Sequence, residues 1–195
     1  MTMSDFPKIH SPFVRETFYV NRDDYKTYGR EFQLRIPEVR LVINKIDPDY
    51  LWVFEDPETI AVEKLNGTNI KINTVDGRLI ALQNRGNVID PMQIVKGQIY
   101  ILEGVLRAVG KGYVDLDGEQ VGELIGPKLQ GNPYKLDSHL WYPFMRSLSS
   151  LSYRSFHEHE KTFENISVWF KDWLPSRFSI KRGNKDIVAE GIVFY

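Results

Sequence analysis

Val62-Glu63-Lys64-Leu65-Asn66-Gly67-Thr68-Asn69 sets one lysine between two apolar patterns. Upstream lies an apolar, partly β-branched run, Thr59-Ile60-Ala61-Val62; downstream, Asn69-Ile70-Lys71-Ile72-Asn73 alternates. Period-two patterning on both sides predicts two strands, with Lys64 where the first gives way to a turn. A tip of this kind, exposed on a rigid support, suits a reactive side chain. The plainer alternative is a lysine guarding a hairpin edge.

A free lysine amine titrates near ~10.4, so at neutral pH roughly one in a few thousand is nucleophilic. A lysine that attacks must be desolvated or set beside other cations. The apolar run ahead of Lys64 predicts the first of these. Asn66, Gly67 and Thr68 would let the backbone come close to a ligand with no bulky side chain between.

The chain has 195 residues, enough for one well-filled domain or a domain with an appendage. We divide it into a lead-in at 1–57, packed on the same domain, and a main unit at 58–195. No segment approaches the ~20 apolar residues of a membrane span. There is no cysteine, which excludes disulfides and fits a reducing, intracellular setting, cytoplasmic or virus-encoded. A net charge of −1 argues against coating nucleic acid by bulk charge but leaves room for a local basic groove.

Residues 1–58 mix charge and proline with short apolar runs, Phe32–Ile36 and Leu41-Val42-Ile43, and predict one or two strands. Arg15, Arg22, Arg30 and Arg40 read as solvated charge. Ile70–Val75 and Arg78–Gln83 flank Asp76-Gly77, a pair that favours a two-residue hairpin turn. Arg85 follows at the end of the second arm. From Asp90-Pro91 to Gly110-Lys111-Gly112 the apolar spacing predicts a helix, with Gly97 and Gly104 as weak points. Glu103-Gly104-Val105 lies inside it and reads as packing. Gly122-Glu123-Leu124-Ile125-Gly126-Pro127 predicts a strand, followed by Gln130-Gly131-Asn132-Pro133-Tyr134. His139–Phe144 predicts an aromatic-rich strand. Residues 145–176 read as helical, with Ser155 and Glu158 as a capping box and Ile166, Trp169, Phe170 and Trp173 on one face. His157-Glu158-His159 reads as solvated charge rather than a metal site, because alternate helical residues diverge. Phe178–Arg182 predicts a strand, and Ile187–Tyr195 a last one that carries Glu190-Gly191.

Lys64-Leu65-Asn66-Gly67 resembles the lysine-x-aspartate/asparagine-glycine signature of the covalent nucleotidyltransferases, which include ATP-dependent DNA and RNA ligases and mRNA capping enzymes. With Glu63 before it and Thr68-Asn69 after, it is closer to the RNA ligase form. Arg85, Glu123, an aromatic at Phe144 (with Tyr142 as fallback) and Glu190-Gly191 follow in the family's order. The resemblance implies an α+β fold, antiparallel sheets flanked by helices: an adenylyltransferase (ATP-grasp-like ligase catalytic) domain with a central nucleotide cleft. It implies Lys64 as the nucleophile and Glu63, Asn69, Arg85, Glu123, Phe144 and Glu190 as nucleotide-binding residues. In that scheme Arg85 approaches the nucleotide, Glu123 holds the ribose, Phe144 stacks on the base, and Glu190 also organises Mg²⁺ or Mn²⁺. Asn69 resembles the asparagine that RNA ligases use in the later, nucleic-acid steps.

The implied substrates are ATP and RNA ends, in a nicked duplex or a tRNA, handled by a monomer without a membrane. A DNA ligase, a capping guanylyltransferase and a nucleotide- or RNA-binding module without turnover are the alternatives. The family's closing lysine-x-lysine-like strand does not follow Glu190-Gly191, which reads either as a piece of a longer ligase, the reading we favour, or as a degenerate domain.

Overall fold

A computed structural model of the chain describes residues 9–28, 37–84, 86–158, 160–171 and 174–195. Among these, in chain order, are β1 (Phe13–Tyr19), α1 (Arg22–Tyr28), β2 (Glu38–Ile46), α2 (Trp52–Glu55), β3 (Ala61–Lys64), β4 (Thr68–Val75), β5 (Arg78–Asn84), β6 (Asn87–Ile89) and α3 (Ile99–Gly110). They continue as β7 (Gly118–Ile125), β8 (Leu140–Pro143), α4 (Phe144–Ser150), α5 (Phe163–Lys171), α6 (Arg177–Ile180) and β9 (Gly191–Phe194). The architecture is α+β with antiparallel sheets.

The alternating run after the lysine turn becomes β4, the central strand of a five-stranded sheet ordered β6-β5-β4-β7-β8. Asp76 and Gly77 join β4 to β5 with φ of 49° and 71°, the two positive values that a type I′ turn needs. Alternation then divides the sheet by face. Ile70, Ile72, Leu82 and Leu124 are fully buried in one core with Ile101, Val105 and Ala108 of α3, and each such burial contributes roughly 1.5–3 kcal/mol. On the opposite face of β4 are Asn69, Lys71 and Asn73. Gly104 is not a weak point. A Cβ there would lie 2.2 Å from Leu124, so the glycine lets α3 approach the sheet. Gly122 is likewise set by packing, because Trp141 lies across it and donates its indole N–H to the Ile70 carbonyl at 3.0 Å.

β3 does not form a hairpin with β4. It pairs with β9 in a second, two-stranded sheet, with Lys64 opposite Gly191. Its other edge is bonded to the chain after α4, by Glu63 N–H to Leu151 O and Tyr153 N–H to Ala61 O. With both edges taken, the chain leaves β3 and crosses to the five-stranded sheet through Leu65-Asn66-Gly67. The reading of Lys64 as a hairpin-edge lysine therefore fails.

β1 and β2 form an antiparallel ribbon, attached where Phe13 inserts between Phe54 and Phe163 at ring distances of 5.2 and 5.0 Å. Leu41-Val42-Ile43 lies in β2; Phe32–Ile36 and Arg30 fall outside the described residues.

Two helical expectations and one strand are corrected. α3 starts at Ile99, not Asp90, whose carboxylate instead accepts the Met92 N–H in a local turn. Residues 145–176 do not form one helical stretch. Ser155 and Glu158 belong to a 3₁₀ turn, and Thr162 caps α5 by accepting the Asn165 N–H. On α5, Ile166 is buried while Phe170 is exposed; Trp173 and His159 lie outside the described residues. Finally, Phe178–Arg182 is not a strand, because Ser176 caps the short helix α6 there. Among the described residues no helix is long and apolar enough to cross a membrane.

Candidate functional site

Lys64 ends β3, and its cross-strand partner Gly191 directly follows Glu190. This register brings the Lys64 amine and the Glu190 carboxylate into an ion pair. The two side chains are 42% and 35% exposed, so the pair contributes only about 0–1 kcal/mol to stability. The expectation of a desolvated lysine is corrected. Ala61, Val62 and Glu63 are buried, but burial stops one residue short of the amine, and the described partner of that amine is an anion.

From the other sheet, β4 and β7 place Asn69 opposite Glu123. Lys64, Asn66, Gly67, Thr68, Asn69, Glu123, Gln130 and Glu190 line one polar cavity of about 320 Å³. Among the described residues, the Asn69 amide oxygen is buried without a hydrogen-bond partner. Four of the expected residues, Lys64, Asn69, Glu123 and Glu190, thus meet in one place.

The others do not. Glu63 points away from this cavity, as its strand position next to Lys64 requires. Both its oxygens are engaged, one by Ser176 Oγ at 2.6 Å and the other by the Phe178 N–H at 2.7 Å. Burial pushes its carboxyl above the ordinary glutamate value, against the lowering effect of those bonds and of Arg177. Its observed role is to hold α6 against β3, in place of the nucleotide contact expected of it. Phe144 is half-buried in the first turn of α4, not on a strand, and does not line the polar cavity. Tyr142, on β8 opposite Glu123, is core: its ring packs on Tyr113 and Phe178 and its hydroxyl meets Ser150. Arg85 lies outside the described residues; its neighbour Asn84 accepts a bond from Thr68 at 3.3 Å.

Gly67 serves packing. A Cβ there would lie 2.1 Å from the Leu124 carbonyl oxygen, so the glycine lets the lysine turn lie on β7 rather than on a ligand.

Two residues without an assigned role also reach the site. Gln130 donates to the Gly67 carbonyl at 3.3 Å, and the Tyr134 hydroxyl accepts the Asn66 N–H at 2.8 Å. The signal for them in the sequence is the stretch Gln130-Gly131-Asn132-Pro133-Tyr134, which follows Glu123 and also resembles RNA ligases.

The carboxylates of Glu123 and Glu190 are hard donors suited to Mg²⁺. Among the described residues, no three acidic, histidine or cysteine side chains stand close enough to hold a metal alone. This donor set fits the usual Mg²⁺ arrangement of one or two carboxylates completed by substrate phosphates. Beyond the ion pair a second cavity of about 530 Å³, largely apolar, runs between β9, α5 and the β1–β2 ribbon.

No family model matches the chain, and no curated protein matches it. Among solved structures the chain is similar to Naegleria gruberi RNA ligase. Against a mutant of that ligase with ATP and Mn, identity is 17% and the TM-score 0.44. Against the ligase with PPi they are 18% and 0.46, and against an apo mutant 14% and 0.35. In each case the match covers 70% of this chain and 45% of the ligase, so the chain spans less than half the length of those proteins. At these values the likeness adds no weight to a function.

Proposed function

We propose that this chain is the adenylyl-accepting part of an ATP-dependent RNA ligase. The observation that carries the reading is the convergence of Lys64, Asn69, Glu123 and Glu190 on one polar cavity from two separate sheets. The order of the signature residues along the chain agrees with it.

In this reading the Lys64 nitrogen attacks the α-phosphorus of ATP. A nitrogen–phosphorus bond forms, the bond to the bridging oxygen breaks, and pyrophosphate leaves with the electron pair. Lysine is ordinarily protonated and must give up a proton first; Glu190, in contact with the amine, favours the ammonium, so the proton would leave to water once Glu190 turned from the amine to a bound Mg²⁺. Glu123 accepts hydrogen bonds from ribose hydroxyls, and Asn69 serves the later, nucleic-acid steps. Phe144 does not line the cavity and is not kept as the base-stacking residue; Arg85 keeps its expected approach to the nucleotide. Mg²⁺, held by Glu190 with Glu123, would neutralise phosphate charge when bound. The AMP then passes to a 5′-phosphate of RNA, and a 3′-hydroxyl displaces it to close the phosphodiester.

The rival with an observation in its favour is a nucleotide-binding module without turnover, since the Lys64 amine is half-exposed and ion-paired. Labelled ATP and GTP separate the possibilities. Covalent label from ATP alone, with sealing of RNA ends in preference to DNA, supports the ligase. Label from GTP indicates capping, and reversible binding without label supports the module.

A further inference from the structure

We infer that Tyr134 is a positioning residue for Lys64: its hydroxyl, by accepting the Asn66 N–H, ties down the far side of the lysine turn. The inference rests on Lys64 being the nucleophile proposed above.

The segment 65–67 crosses between two sheets and takes no part in either ladder. Besides the burial of Leu65 and the packing of Gly67 on β7, it is held by hydrogen bonds from the loop after β7, through Tyr134 at Asn66 and Gln130 at Gly67. Tyr134 is 4% exposed, and its ring meets Phe178 edge-on at 5.1 Å. The Phe178 N–H in turn bonds Glu63. A closed ring of contacts therefore runs Glu63, Phe178, Tyr134, Asn66. It grips the chain one residue before Lys64 and two residues after it.

Three non-glycine residues of the loop, Gln130, Asn132 and Lys135, have φ of 47°, 53° and 50°. Such conformations cost energy and persist where surrounding structure enforces them. Here Asn132 does so, its side chain bridging the N–H and C=O of Leu136. The strained turn carries Tyr134 to Asn66. Burial pushes the phenol upward against the lowering effect of the Asn66 N–H bond, with the charges of Glu63, Glu190 and Glu123 adding to the rise, so it stays neutral at working pH. Positioning of this kind matters because a misplacement of about 1 Å can cost roughly 100-fold in rate.

Tyr134→Phe keeps the ring and removes only the oxygen. At saturating ATP and Mg²⁺, adduct formation on Lys64 should slow about 10- to 100-fold, with the ATP half-saturation point within about twofold of the parent. Amide exchange at Asn66 should accelerate at least about tenfold while the β4 amides keep their protection. An unchanged rate, or a raised half-saturation point at unchanged rate, overturns the inference. If the parent chain forms no adduct, the ligase reading fails, yet the tie can still be read. Asn66 exchange and the Lys64 Hε–Cε resonance must then both shift on substitution, and unchanged values overturn the inference by themselves.

Discussion

Lys64 and Glu190 are exposed enough that their ion pair does little for folding. Glu190→Gln should therefore change stability by less than about 1 kcal/mol in urea unfolding, while slowing adduct formation at least about 10-fold by weakening the hold on Mg²⁺. Equal losses in both would make Glu190 a structural residue. Gly67 presents the converse case. Gly67→Ala drives a Cβ into the Leu124 carbonyl, and overpacking of this kind costs about 1–3 kcal/mol, measurable as a lower urea midpoint. At this scale the sequence was informative about chemistry and less so about direction. Lys64, Asn69, Glu123 and Glu190 were all legible and converge. Glu63 was assigned to the nucleotide although alternation along β3 already turns it to the face opposite Lys64.

Among the elements, α6 shows what local pattern cannot supply. Four residues, Arg177–Ile180, are too few to display a helical period, and Phe178-Ser179-Ile180 alternates like a strand. The deciding features are the Ser176 cap and a distant carboxylate, Glu63, that binds the Phe178 N–H. Ser176→Ala removes both the cap and a bond to Glu63, and should cost about 1–3 kcal/mol. Glu63 also sets a pH dependence. Its folded-state value is raised, chiefly by burial. Its stabilising share is thus complete below the value of an unstructured glutamate and fades as pH climbs past the folded value. In urea unfolding from about pH 4 to pH 8, the parent should lose stability relative to Glu63→Gln; parallel profiles would contradict this. By contrast the Asp76-Gly77 hairpin was fully legible, because its turn chemistry lies within two adjacent residues.

For the whole molecule, the site exists only where two sheets meet: Lys64 and Glu190 come from one, Asn69 and Glu123 from the other. The α+β class and most strands were readable from alternation. The pairing of β3 with β9 was not, since it joins residues more than a hundred positions apart and no local pattern encodes that register. The β1–β2 ribbon depends on Phe13 in the same long-range way. Phe13→Ala should cost about 3–5 kcal/mol and expose the ribbon to limited proteolysis ahead of the sheets. Whether the two sheets together make an enzyme is tested most directly by the intact mass of the chain after incubation with ATP and Mg²⁺. The account predicts a gain of one AMP that Lys64→Ala abolishes; a gain that survives Lys64→Ala would contradict it.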